Sequence, residues 1–278
     1  MDLDLRRSDL DLLGPIVAED GRSGRFELGV GLVRHDGGLY GGTGLAMSVL
    51  AMQAATGREV LWATTQLVSS PQMGAEIEWT SDVLAMGKRA AQVLVRATSA
   101  GQLVYTAVGS TGIPSADGLT AQYQVMPKVS PPGDSAHRES FATAVNPNSY
   151  TSNIELFEAD ILGAGPDAAL WVRRHDGGSF SPAAVAFAAD FVPLAIARAA
   201  GKIGAGSSLD NSMRFRGGDG PTWILLDLVG DFAFGGYGHG VVRVWTEDGE
   251  LLATGSQSAA MRYLWDEGEP PKIEPHSG

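Results

Sequence analysis

Asp190 is the residue whose setting most calls for a chemical explanation. It lies inside the run Ala183-Ala184-Val185-Ala186-Phe187-Ala188-Ala189-Asp190-Phe191-Val192. A carboxylate within apolar surroundings is costly unless it is hydrogen-bonded or paired. Groups held at that cost often carry shifted pKa values and take part in acid–base chemistry. The plainer reading is a side chain turned toward a solvent gap, or a carboxylate that caps backbone freed by Pro193.

Other chemistries find less support. The chain has no cysteine, so thiolate nucleophiles, disulfides and thiolate metal sites are excluded. Its histidines are His35, His137, His175, His239 and His276, and none falls at a metal-ligand spacing such as His-x-x-x-His. There is no Gly-x-Ser-x-Gly elbow and no phosphate-cradling loop. No metal and no redox cofactor are expected. The net charge of -12 argues against nucleic acid as a partner. An anionic ligand would need a local basic patch, for which Arg173, Arg174, Lys202, Arg214 and Arg216 are candidates. The bland reading of each is solvated surface charge.

The elements that must position these residues are duplicated. Arg34-His35-Asp36-Gly37-Gly38 recurs as Arg174-His175-Asp176-Gly177-Gly178. Each copy follows a strand-like run, Arg25 to Val30 and Ala169 to Val172, and precedes a long apolar segment, Gly42 to Ala55 and Pro182 to Ala200. A repeat on this scale implies two copies of one module rather than a solenoid. The duplicated histidines read as part of a structural turn.

Both apolar segments read as helices. The first is apolar on nearly every face and must be wrapped by protein. The second has Ser181 as N-cap and Pro182 at its first position. Pro193 should bend it near Ala189, and Gly57 and Gly201 are natural stops. Asp190 and Arg198 argue against a membrane span, so no membrane insertion is expected. Antiparallel strands follow each helix. Ala91 to Thr98 and Gln102 to Ser110 flank Ala100-Gly101, while Val241 to Thr246 and Glu250 to Gln257 flank Asp248-Gly249, a strong hairpin signal. The expected modules are residues 1–115 and 151–265. A Pro- and Gly-rich linker at 116–150 joins them, and a flexible tail covers 266–278. The fold class is α+β, with two antiparallel sheets each wrapped around a long central helix. The first residues, Met1 to Arg7, carry no apolar run of a secretory leader, and a cytoplasmic location is expected.

Asp190, followed by Ser208-Leu209-Asp210-Asn211-Ser212-Met213-Arg214-Phe215, resembles the acyl-CoA thioesterase II (TesB-like) family, in which a helix Asp precedes an Asp-His-Ser-Met block. The hairpin from Thr246 to Gln257 with Met261-Arg262 is similar to that family's last strands. Tyr40-Gly41-Gly42-Thr43 resembles its aromatic-Gly-Gly-Gln helix start. The resemblance covers most of the chain and implies a tandem, or double, hotdog fold. It also implies hydrolysis of acyl-CoA by an activated water held by an Asp, a Gln and a Thr or Ser, in a homo-oligomer. By position Asp190 and Gln257 match the first two. The hydroxyl position, counted back from the Asp248-Gly249 turn, falls near Asp231, a departure from the pattern. Two neighbouring carboxylates would raise one pKa, while a turn residue before a strand is the plain alternative. Gly42 and Thr43 are expected to bring helix N–H groups to the thioester, and Arg214 and Arg216 to meet the CoA phosphates. Thr43 stands where the family has Gln, and no acid lies between 42 and 55, so the chemistry is expected in the second repeat. A non-catalytic acyl or CoA binder is the alternative. A hotdog enoyl-CoA hydratase ranks lower, because no His follows Asp190 at the helix entry.

Overall fold

The computed structural model describes residues 7–18, 20–137, 146–218 and 220–266. The first repeat contributes β1 (Ile16–Ala18), β2 (Ser23–Glu27), β3 (Glu59–Leu67), β4 (Glu76–Met86), β5 (Ala90–Ser99) and β6 (Gln102–Gly112). The second contributes β8 (Ile154–Glu158), β9 (Ala168–Arg174), β10 (Ile203–Ser208), β11 (Asp210–Phe215), β12 (Trp223–Phe234), β13 (Tyr237–Trp245) and β14 (Leu251–Trp265). Between them lies the short β7 (Ala136–His137).

These strands form one continuous antiparallel sheet in the order β1-β2-β4-β5-β6-β3-β11-β14-β13-β12-β9-β8-β7, with β10 also paired to β14. The two expected sheets are thus joined edge to edge into one. Within each repeat the order is the same: β2-β4-β5-β6-β3 in the first matches β9-β12-β13-β14-β11 in the second. The two runs meet edge to edge where β3 pairs β11, and Ser212 lies opposite Thr64. Their hydroxyls are 2.7 Å apart across this seam. Pairing the two edges satisfies backbone groups that would otherwise invite aggregation.

The repeated pentapeptide builds the same turn twice. The Arg34 guanidinium donates to both oxygens of Asp36, Nε to Oδ1 at 3.1 Å and Nη2 to Oδ2 at 2.8 Å. Asp36 Oδ1 also accepts from the Gly38 N–H. Arg174 and Asp176 repeat that fork, with Gly178 donating to Asp176. Gly37 and Gly177 both take positive φ, +80° and +71°, which the turn requires and a side chain would strain.

Helix Gly41–Thr56 is buried along its first three turns, and Gly57 closes it in the left-handed conformation, as its sequence predicts. The second apolar segment is two helices, Pro182–Ala188 and Val192–Ala199. The stretch Pro182–Ala199 is apolar and long enough to cross a bilayer, but 83% of it is buried inside the protein. It is a core element, and its apolar character is spent on packing. The first helix packs against Pro182–Ala188 so closely that a Cβ at Gly42 would stand 2.3 Å from the Phe187 carbonyl oxygen.

The segment expected as a free linker is attached along part of its length. Met126 and Val129 pack on a small apolar cluster around Trp171 and Trp245. The Trp171 indole donates to the Ser130 carbonyl at 2.8 Å, and the Gln122 side chain bonds Gly249 and Leu251. Residues 138–145 of that linker, and the expected tail beyond 266, lie outside the described residues.

Candidate active site

Asp190 is not within a helix. Ser181 caps helix Pro182–Ala188 by accepting from the Ala184 N–H at 3.1 Å, and that helix ends at Ala189. Pro193 has no N–H to continue the ladder. The Ala189 carbonyl is instead taken by the Phe191 N–H at 2.9 Å. The break lets Asp190 leave the helix axis and reach the start of the other central helix.

There the carboxylate meets four donors. Oδ2 accepts from the Gly42 N–H at 2.8 Å. Oδ1 accepts from the Ser208 hydroxyl at 3.1 Å, from the Asn211 amide at 3.3 Å and from the Gln257 amide. The Gln257 amide also donates to Ser208 Oγ at 2.6 Å. Donors of this kind favour the charged carboxylate, but burial opposes them and is the larger effect. Burial pushes the Asp190 carboxyl up to about 6, against the pull of Gly42, Ser208, Gln257 and the Arg34 charge.

Each partner has a reason for its place. Gln257 lies opposite Gly240 in the β13–β14 ladder. A Cβ at Gly240 would stand 2.8 Å from Val192, so this rung faces the helices, and Gln257 is 1% exposed. Its Oε1 is buried without a partner among the described residues. Ser208 ends β10, and Asn211 lies in β11, one residue past its start. The chain shifts from one register of β14 to another between them, with the Leu209 N–H donating to the Ser258 carbonyl.

Asp190 and Ser208 form one wall of a cavity whose apolar lining includes Tyr40, Tyr150, Leu156, Leu170, Phe191 and Leu194. Arg34 and His35 line it as well, so the first copy of the repeated turn contributes to this cavity. Tyr40 and Tyr150 stack with ring centroids 4.3 Å apart. The Tyr40 hydroxyl is buried without a partner among the described residues.

Of the residues singled out in the sequence, Asp190, Gln257 and Gly42 come together. The others stand apart from the carboxylate. Asp231 falls at a bulge in β12, where the register shifts between Gly230 and Phe232. It pairs with His239 at 3.0 Å and is 42% exposed. His239 sits between Gly238 and Gly240, both of which face the helices, so in a pleated strand it points to the opposite side. The hydroxyl beside Asp190 is therefore Ser208, not a residue near 231. Thr43 is buried, and its hydroxyl is spent on the Leu32 carbonyl at 2.9 Å. Arg214 bonds Ser212 and lies over Trp62, while Arg216 pairs with Glu250 at 3.1 Å. Both arginines line a different groove, beside the linker. Among the described residues no group of His, Asp and Glu is arranged to hold a metal.

A long helix gripped by a large antiparallel sheet, with a few shorter helices beside it, defines a protein of the hotdog fold. A family profile described as "Acyl-CoA thioesterase C-terminal domain" matches residues 125–261. A protein from Novosphingobium aromaticivorans DSM 12444 assigned as a thioesterase is 31% identical, with a TM-score of 0.79 over 90% of this chain and 99% of that one. The chain belongs to the acyl-CoA thioesterase family. Two more distant structures share the fold. A hot dog fold protein of unknown function from Alicyclobacillus acidocaldarius is 18% identical, with a TM-score of 0.74 over 93% of this chain and 99% of that one. An acyl-CoA thioesterase II from Mycobacterium marinum is 19% identical, with a TM-score of 0.70 over 92% and 98%. No curated protein sequence matches the chain.

Proposed function

We propose that the protein hydrolyses acyl-CoA thioesters with a water directed by Asp190, Gln257 and Ser208. The observation that carries this reading is the convergence of Ser208, Asn211 and Gln257 on one oxygen of a buried carboxylate that lines an apolar cavity. Above pH 6 the carboxylate is ionised and acts as a base. It takes a proton from the water as the water oxygen bonds to the thioester carbon. The carbonyl π electrons move to oxygen. When the C=O re-forms, the C–S bond breaks and CoA thiolate leaves, to be protonated by the Asp190 carboxylic acid. Gln257 Oε1 offers an acceptor for the water's second hydrogen, and the Ser208 hydroxyl fixes its direction.

The same reading takes the chain as a tandem double hotdog, with modules at 1–115 and 151–265 joined by 116–150, acting as a cytoplasmic homo-oligomer. The identical strand order in the two repeats supports the tandem description. Exposed Phe232, Phe234 and Tyr237 on the β12–β13 hairpin fit an assembly of several copies. Asp231 has no part in the reaction. Replacing it with Ala should leave kcat/KM within about twofold of wild type, as expected of an exposed surface pair. A hundredfold loss would return it to the site.

The function is tested by incubating the purified protein with acyl-CoAs from acetyl to long chain and following free thiol with a colorimetric reagent. Catalytic release from at least one of them is expected. Binding of CoA without turnover at any chain length would overturn the hydrolase reading in favour of a non-catalytic binder.

A further inference from the structure

The hydrolase reading needs a donor for the negative charge that develops on the thioester oxygen, and three N–H groups at the helix start are already engaged. The Gly42 N–H is held by Asp190 Oδ2. The N–H groups of Thr43 and Gly44 both turn back to the Tyr40 carbonyl, at 3.0 and 3.4 Å. The Thr43 hydroxyl is held by Leu32. These N–H groups at the helix start are thus spent on the acid and on the helix itself.

One buried side-chain polar group of the same segment has no partner among the described residues. Tyr40 is 4% exposed, lines the cavity shared by Asp190 and Ser208, and its hydroxyl has no hydrogen-bond partner among the described residues. An unpaired buried hydroxyl is destabilising, so its retention calls for a reason. The ring is held in one place. It stacks on Tyr150 and meets Phe187 edge-on at 5.2 Å. It also packs against Gly42, where a Cβ would stand 2.6 Å from Tyr40 Cε1. The residue whose N–H anchors the carboxylate thus also anchors the phenol.

We infer that Tyr40 is a catalytic residue of this site, its hydroxyl donating a hydrogen bond to the thioester carbonyl oxygen as that oxygen becomes an oxyanion. The inference rests on the hydrolase reading above. A phenol suits the role because it stays neutral and keeps its proton: burial raises its pKa well above the usual value, and the nearby Asp190 charge adds to the effect. The proton remains on Tyr40 throughout, and the only proton transferred is the one Asp190 takes from water and returns to the leaving sulfur. A fixed donor in a site with little water is worth far more at the transition state than in the ground state.

The test compares wild type with Tyr40→Phe on a short and a long acyl-CoA, measuring kcat and KM separately, with thermal unfolding of both proteins. The variant removes one oxygen from a packed ring and should melt no lower than wild type. The expected result is a fall in kcat of about 100-fold on both substrates with KM within about threefold. A purely structural role for Tyr40 would lower the melting temperature and would not single out kcat. Retention of wild-type kcat by Tyr40→Phe would overturn the inference while leaving the hydrolase reading intact. A loss confined to one acyl chain would also overturn it, because the hydroxyl would then be reading the acyl group. Absence of thiol release by the wild-type protein would overturn the hydrolase reading, and the role of Tyr40 with it.

Discussion

Asp190→Asn is expected to lower kcat/KM for acyl-CoA hydrolysis by about a thousandfold, the scale of a lost general base. The amide keeps the shape of the carboxylate and an oxygen for the Gly42 N–H, so the fold should survive. In the wild type the rate should rise with pH through an acid limb centred near 6, the value to which burial pushes this carboxyl. The limb should be missing from whatever activity the variant retains. A stability effect accompanies it. The folded pKa, about 6, lies above the ordinary carboxylate value near 4, so between those limits the native state binds more protons than the unfolded chain. Stability should therefore be greatest below pH 4, fall by up to about 3 kcal/mol as pH rises to 6, and then stay level with respect to this group. Thermal scans across that interval should show the slope reduced in Asp190→Asn. Wild-type activity in the variant, or a rate independent of pH between 5 and 7, would remove Asp190 from the chemistry.

Gly41→Ala should likewise separate activity from stability, without changing any group that takes part in the chemistry. Gly41 is the first residue of the long helix, where alanine is the better helix former by about 1 kcal/mol. Its backbone needs no glycine. The added Cβ, however, would stand 2.6 Å from Asp190 Oδ2 and 3.1 Å from Ser208 Oγ. Neither can retreat freely, since both belong to the same hydrogen-bonded cluster. The carboxylate must shift by a few tenths of an ångström or more. A misplacement on the scale of an ångström is worth about a hundredfold in rate. We expect that loss in kcat with little change in melting temperature. An active Gly41→Ala enzyme would mean that the carboxylate's position is not critical.

Much of the fold was legible in the chain. The repeated Arg-His-Asp-Gly-Gly marks two copies of one turn, and the Asp-Gly pair at 248–249 marks the β13–β14 hairpin. Pro193 marks the break that frees Asp190. Two such modules in tandem are expected to pair their sheets edge to edge, but periodicity could not reveal that β3 and β11 are the paired edges, because an edge that pairs and an edge that faces water have the same alternation. The site was legible only in part. Asp190 stood out by its apolar neighbours, and Gln257 only by resemblance. A count back from the Asp248-Gly249 turn points to Asp231, whereas the hydroxyl beside Asp190 is Ser208, at the end of β10 on a different part of the chain. Irregular pairing obscures both places: β12 bulges at Asp231, and β10 shifts register between Ala205 and Gly206. The Ile203-Gly204-Ala205-Gly206 stretch also lacks the apolar alternation that marks a strand. Asn211 and Tyr40 had no sequence signal beyond their neighbours, because their roles depend on contacts made across the molecule.

The bond from the Gly42 N–H to Asp190 spans 148 positions and joins the two repeats. After a duplication, one copy is ordinarily free to drift. Here the first copy has no acid of its own between 42 and 55, but it holds the acid of the second. Degeneration of its helix start would disarm its twin. The two copies are therefore inherited as a single working unit, and changes at Tyr40, Gly41 and Gly42 answer to selection on a carboxylate encoded in the other half of the gene.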